Sequence, residues 1–215
     1  MGRRNDHSRE QIRNFALEAA AKIVAEQGLQ GLTTRKVAAT IGYTVGSLYL
    51  VFENLDDLIL QVNARTLDDL YQLMNRIKQQ TQQPESTIIA LGHAYLNFAT
   101  TQQHRWRTIF EHNLPGEHPQ IPEWYEKKIF RLFKLVEEPL QHMLHTDDVY
   151  LCTRVAHALW GGVHGICILA VTGKLKVVGT EAVEHLMNEL MSYYLTGLKT
   201  QHLPPAQQTL PEAKP

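Results

Sequence analysis

The stretch TTRKVAATIGYTVGSLYLVF, Thr33 to Phe52, holds two short helical patterns that stop and restart within three residues, at Gly42-Tyr43-Thr44. A straight helix cannot pass such a break. The two segments must cross and bury their inner faces against a third element. Thr33 or Thr34 caps the first segment, Arg35 to Ile41, with Val37, Ala38 and Ile41 turned inward, and Gly42 stops it. Thr44 caps the second, predicted from Val45 to Val51, with Leu48 and Phe52 as its core residues. Gly46 lies inside that segment, where glycine costs about 0.5–1 kcal/mol relative to alanine. A backbone without a side chain suits close approach to a surface other than the protein's own core.

The remaining pattern is helical too. Ser8 and Gln11 form a capping box ahead of the stripe Ile12, Phe15, Ala16, Ala19 and Ile23, and Gly28 ends that helix. A long pattern opens at Asp56 and Asp57, acids suited to a helix N-terminus, and carries Leu58, Val62, Leu70, Leu73 and Ile77. QQTQQPES, residues 79–86, is a polar break. Helices are expected at 87–103, 106–113, 123–145, 147–172 and 180–199, with the proline-rich 114–122 as a loop able to act as a lid and 173–179 as a turn. No alternating strand pattern and no internal repeat appears. The expected fold is all-α: an N-terminal three-helix bundle with a helix-turn-helix in 1–54, a helical ligand-binding and dimerisation body in 55–201, and a disordered tail in 202–215.

Composition narrows the function classes. A hydrophobic content of 44% with 20% charged residues is that of a globular chain. No apolar run reaches the ~18 residues of a membrane span, so no membrane partner is expected. MGRRNDHSREQ shows no secretory signal, and Cys152 and Cys167 do not form a disulfide framework, so a cytoplasmic location is expected. Residues 1–55 hold seven Lys/Arg and five Asp/Glu, against fourteen and seventeen in the rest; so small an asymmetry decides nothing. Neither G-x-S-x-G nor a P-loop, G-x-G-x-x-G or H-E-x-x-H occurs, so the chain is not expected to be an enzyme or to need a cofactor. His142 with His145, and His157 with His164, have same-face spacing, yet no cysteine joins them at zinc-site spacing and no metal site is expected.

The paired short helices read as a helix-turn-helix, which lays its second helix in the DNA major groove. The run L-T-T-R-K-V-A, then I-G-Y-T-V-G-S-L-Y-L-V-F, then L-I after two acids, resembles the N-terminal module of the TetR family of bacterial transcriptional regulators over about Arg9 to Leu60. The resemblance implies a homodimer on an operator in double-stranded DNA, released when a small molecule in the body changes the spacing of the two heads. It implies that Thr33 or Thr34 contacts phosphate, that Arg35 reaches a base edge or a phosphate, and that Lys36 reaches a phosphate. Thr44, Val45, Gly46 and Ser47 are implied to face the groove, and Tyr49 to donate its hydroxyl to a phosphate. Tyr43 is expected half-buried in the turn. Leu55 stands where many members carry a phosphate-gripping lysine, and Leu50 and Val51 where many carry His, Tyr or Arg. An arm with Arg3, Arg4 and Arg9 is expected to make up for those lost contacts.

In the body, ALWGGVHGICILAVTG places Trp160 and His164 four apart on one helix face beside Gly161, Gly162 and Gly165. Trp-x-x-x-His-Gly resembles the Trp-His-Gly sub-class of the family. This helix either joins Val183, Leu186, Leu190, Tyr193 and Tyr194 of the last helix in a dimer face, or lines a pocket with Trp160 and His164. A buried histidine satisfied by a backbone carbonyl is the alternative for His164. Trp106, Phe110 and Trp124, with His93, Tyr95, Phe98 and Tyr125, are further candidates for an apolar or aromatic effector, though aromatics at helical spacing serve equally as core. The functional expectation is a dimeric, effector-released repressor. A ligand-independent DNA-binding member of the same fold, architectural or cell-division-linked, and a metal-responsive regulator remain as alternatives.

Overall fold

Ser8 and Gln11 start the first helix by satisfying each other: Ser8 Oγ accepts from the Gln11 N–H at 3.2 Å and Gln11 Oε1 from the Ser8 N–H at 2.8 Å. The computed structural model describes residues 7–116, 120–177 and 182–202. Its helices are α1 (Arg9–Gln27), α2 (Thr34–Ile41), α3 (Val45–Leu48), α4 (Leu55–Gln80), α5 (Pro84–Thr101), α6 (Gln103–Glu111), α7 (Glu123–Leu144), α8 (Val149–Val171), α9 (Lys174–Val177) and α10 (Val183–His202), with a 3-10 turn at Leu29–Gly31. No strand occurs among the described residues, so the fold is all-α as expected.

The chain divides into two units, Met1–Asp69 with Thr101–Lys128, and Leu70–Thr100 with Ile129–Pro215. In the first, Ala16, Leu17, Ala20, Ile23 and Val24 of α1 meet Leu32, Val37, Ala38, Leu48, Phe52, Leu58 and Val62 in one buried cluster. α6 also packs on α1. Gly28 ends α1 with φ +69°, and a side chain there would come within 3.1 Å of His104 Nδ1. Asn63 of α4 donates to the Thr108 carbonyl of α6 at 3.3 Å, and His112 Nε2 lies 2.9 Å from Asp56 Oδ1 at the start of α4.

In the second unit, α10 lies close against α5 and α8. A Cβ on Gly92 would stand 3.0 Å from Met191 Cε, and one on Gly162 2.9 Å from Leu190 Cδ2. Met187, Met191 and Leu195 of α10 are almost fully buried. Lys199 of α10 meets both carboxylate oxygens of Glu85 in α5 at 2.9 Å.

Several boundaries differ from the sequence expectation. The polar break shrinks to residues 81–83, because α4 continues through Gln79 and Gln80 while Pro84, whose missing N–H is harmless in a first turn, opens α5. Lys174–Val177 is a short helix where a turn was expected. α8 is 23 residues long, holds an 18-residue stretch with a mean hydropathy of 1.3 and is long and apolar enough to cross a membrane. That modifies the expectation of no membrane-length segment, although Cys152, Val155, Ala156, Leu159, Val163 and Cys167 form a buried face along it. The arm residues Arg3 and Arg4, part of the 114–122 loop and all of the expected tail except His202 lie outside the described residues.

Candidate nucleic-acid interface and aromatic cluster

The candidate reading face is built from local capping. Thr33 Oγ1 accepts from the Lys36 N–H at 3.2 Å and so starts α2. Gly42 closes it in the left-handed region, φ +74°, with its N–H directed to the Ala38 and Ala39 carbonyls. Thr44 Oγ1 accepts from the Ser47 N–H at 3.2 Å and lies 3.0 Å from Ser47 Oγ, which starts α3. α3 is one turn long, shorter than the expected Val45–Val51. Leu48 and Phe52 are pulled into the core, at 1% and 4% exposure, and the Phe52 N–H turns back to the Leu48 carbonyl at 2.9 Å. The Arg13 guanidinium lies over the Phe52 ring, 5.0 Å from its centroid.

What remains faces outward. Thr33, Arg35, Thr44, Gly46 and Tyr49 are exposed, and Thr34, Lys36, Val45 and Ser47 half-buried. Tyr49 is 52% exposed and Leu50 62%. Tyr43 is half-buried in the turn, as expected. A Cβ on Gly46 would meet only Thr44 Oγ1, at 3.7 Å, so nothing in the chain itself requires glycine there. The Lys36 ammonium donates to Gln27 Oε1 at the end of α1. Among the described residues no hydrogen bond or ion pair holds Arg35. Leu55 and Val51 pack against the head's core, which gives these two of the three departures from the family pattern a structural use, while Leu50 stays exposed.

The body candidates fall into two sets. Trp106, Phe110, Trp124 and Tyr125 belong to the first unit. Trp106 is fully buried and lies 5.1 Å from Phe110, while Trp124 stands edge-on to Tyr125 at 5.6 Å. Burial pushes the Tyr125 phenol up to about 12, partly offset by a hydrogen bond with Asn63. Tyr95, Phe98, Trp160 and His164 belong to the second unit, where three of them converge. The Tyr95 hydroxyl lies 3.0 Å from His164 Nδ1, and Trp160 Nε1 donates to that hydroxyl at 3.4 Å. Trp160 stacks on His164 with centroids 4.9 Å apart. Desolvation by burial lowers the His164 pKa from its ordinary value, which favours the neutral imidazole. A tyrosine hydroxyl therefore meets Nδ1, where a backbone carbonyl had been the alternative.

Phe133 of α7 completes the cluster, edge-on to Trp160 at 5.7 Å and to His157 at 4.4 Å. Sequence reading missed it, since only the packing of α7 on α8 brings it there. His93 lies instead against Asn188 of α10, Nε2 to Oδ1 2.6 Å. The expected dimer-face residue Tyr194 turns inward and donates to the Val155 carbonyl at 3.2 Å. No group of three or more His, Cys, Asp or Glu side chains among the described residues converges as metal ligands.

The candidate interface is thus a one-turn helix between capped flanks with its non-core side chains outward, and this segment lies within a known family profile. Residues 16–62 match the profile described as "Bacterial regulatory proteins, tetR family", and residues 88–193 that described as "Tetracyclin repressor-like, C-terminal domain". The uncharacterized HTH-type transcriptional regulator Rv0681 of Mycobacterium tuberculosis is 24% identical over 171 residues, 80% of this chain and 75% of the relative. Regulator Rv1816 of the same organism is 26% identical over 120 residues, 55% of this chain and about half (51%) of the relative. Among solved structures, a protein of unknown function from Rhodococcus sp. RHA1 superposes with a TM-score of 0.72 at 17% identity, covering 91% of this chain and 98% of that one. Bacillus subtilis FadR in complex with stearoyl-CoA superposes with a TM-score of 0.61 at 14% identity, covering 86% and 98%. With both its head and its body matched, the chain belongs to the TetR family of transcriptional regulators.

Proposed function

We propose that the chain is a dimeric repressor that reads DNA through residues 1–54 and is released by an apolar or aromatic small molecule held in residues 55–201. The observation that carries the DNA-reading part is α3, whose outward residues Val45, Gly46, Ser47 and Tyr49 serve no core while Leu48 alone is fully buried. Arg35 and Ser47 are the base readers. Thr33, Thr34, Lys36, Thr44 and Tyr49 hold phosphate, and helix N-termini favour that anion. Such a regulator works in the cytoplasm, where bacterial DNA lies.

Pairing is supported by small and apolar residues on α8 and α10, two helices in contact. Ala158, Gly161, Gly165 and Leu169 recur at helical spacing along α8, and a Cβ on Gly161 or Gly165 would meet nothing within 4 Å. Leu186, Leu190, Tyr193 and Gly197 lie on α10, with Tyr193 75% exposed and open space at Gly197. Glycines that no neighbour in the chain requires suit the close approach of a second chain, and a twofold dimer presents the same face from both copies. Its two heads then read half-sites about 34–36 Å apart or a multiple of that spacing.

The effector's polar end is matched by Tyr95, Trp160 and His164 of the second unit, and its apolar remainder by Phe133 beside them. Because a relative of the same fold is known with stearoyl-CoA, long-chain acyl-CoA is the first effector class to test. The decisive experiment selects a duplex from a randomised pool and titrates it with wild type, Arg35→Ala and Tyr49→Phe. Tyr49→Phe is expected to weaken cognate and scrambled DNA alike. Arg35→Ala should weaken the cognate duplex by about 1–3 kcal/mol and relax specificity. Equal loss on both duplexes for Arg35→Ala removes its base-reading role. Failure of every acyl-CoA length to release the duplex removes that effector class.

A further inference from the structure

The link between α1 and α2 carries a contact that neither helix needs. α1 is closed by Gly28, whose N–H donates to the Val24 carbonyl at 2.9 Å, and α2 is opened by Thr33. Across that link the exposed Gln27 takes a proton of the Lys36 ammonium on its Oε1. Gly31 makes room for this arrangement. A Cβ there would stand 2.4 Å from Gln27 Cβ and 3.1 Å from Gln27 Oε1, and the first of these is closer than two such atoms come. The backbone at Gly31 is not in the left-handed region, so the glycine serves space and not conformation. Lys36 is fixed at its other end as well, since its backbone N–H donates to Thr33 Oγ1 at 3.2 Å. An exposed hydrogen bond competes with water and adds little stability on its own. Its consequence is where the ammonium waits.

We infer that Gln27 is a positioning residue for DNA binding: it holds the Lys36 ammonium in place for a backbone phosphate before DNA arrives. The inference rests on the phosphate role proposed for Lys36. An ammonium has three N–H donors, and one acceptor leaves two of them for phosphate oxygens. The neutrality of that acceptor matters. The Lys22 ammonium faces the Glu26 carboxylate at 4.0 Å, a pairing that offsets its charge. The Gln27 amide oxygen directs Lys36 and leaves its charge whole. Lysine has four side-chain torsions, and freezing them on binding weakens affinity. A side chain already held in the free protein avoids most of that loss. The competing use is structural. The last turn of α1 holds no Lys or Arg, and Lys36 would bring a cation to its carbonyl end.

The two uses predict different results. The full-length protein is titrated, across a series of KCl concentrations, with a duplex that the wild type has selected from a randomised pool and with its scrambled counterpart. Gln27→Met keeps the length and helix propensity of the side chain and removes only the acceptor. It is expected to weaken binding about three- to tenfold, the freezing of one long side chain. The loss should be the same on both duplexes, because phosphate carries no sequence. The slope of log K on log salt should stay at the wild-type value, since Lys36 still reaches phosphate, whereas Lys36→Gln should lower it by about 0.9. Adding Gln27→Met to Lys36→Gln should then weaken binding no further, the non-additivity of residues that act together. Thermal unfolding of Gln27→Met should match the wild type. Equal losses from Gln27→Met in the wild-type and Lys36→Gln backgrounds overturn the inference, as does a lower Tm with unchanged affinity, the mark of the structural use. Tighter binding by Gln27→Met also overturns it, since Gln27 would then withhold Lys36 from DNA. If Lys36→Gln leaves affinity and slope unaltered, or if the wild type selects no duplex, the reading beneath the inference falls and takes it along.

Discussion

Gly46 is where folding and reading pull apart. Nothing in the chain meets a Cβ at that position except Thr44 Oγ1, at ordinary contact distance, so alanine fits the free protein and improves helix propensity. A methyl group there stands between α3 and any surface laid against it. Gly46→Ala is therefore expected to leave Tm unchanged or slightly raised while weakening operator binding about tenfold or more, read by thermal unfolding beside a DNA titration. Unchanged affinity would mean that the backbone at Gly46 does not approach DNA. The caps at Gly42 and Thr44, and Thr33 as one of two candidates, were legible in the sequence because capping is set by the residue and its neighbours within one turn. The partners of Lys36, His7 and His164 were not legible. Each lies on another element, and only tertiary packing brings Gln27, Tyr43 and Tyr95 within reach.

At the scale of elements, α3 shows how little helix is needed when both ends are held. A single turn has almost no stability of its own, so its form depends on Thr44 at one end and on Leu48 and Phe52 beneath it. The predicted length of seven residues followed from periodicity, which does not register that Phe52 must turn back into the core. Thr44→Ala removes the acceptor for the Ser47 N–H and is expected to cost about 1 kcal/mol, seen as a lower Tm. α8 carries a pH dependence as well. Burial lowers the His164 pKa, so below its ordinary value of 6.5 the unfolded chain binds the proton before the folded chain does. Stability is full above 6.5 and declines as pH falls toward the folded value. Denaturant unfolding at pH 7.5 and 5.5 should show that decline, and His164→Gln should reduce it.

For the whole molecule, the all-helical class and the head were legible because helical period and capping run through nearly every segment. Which body aromatics share a unit was not, since Tyr95, Phe133 and Trp160 lie on α5, α7 and α8 and nothing local links them. Pairing is tested at this scale. Gly165→Leu places a Cβ that meets nothing within 4 Å in the single chain but fills the proposed contact face, so sedimentation is expected to shift toward monomer, and operator binding to fall with it. A dimer that persists in Gly165→Leu would place the contact elsewhere. Open space beside Gly161 and Gly165 has a consequence for gene dosage. Only 28% of the most apolar stretch of α8 is buried within one chain, so under the proposed pairing mass action would decide how many copies keep that helix covered. Under that pairing, a cell making few copies would hold a larger unpaired share, each copy leaving exposed a helix with the length and apolarity of a membrane-crossing one. Under the proposed pairing, dilution would thin the DNA-binding species twice, once through fewer chains and again through the larger unpaired share.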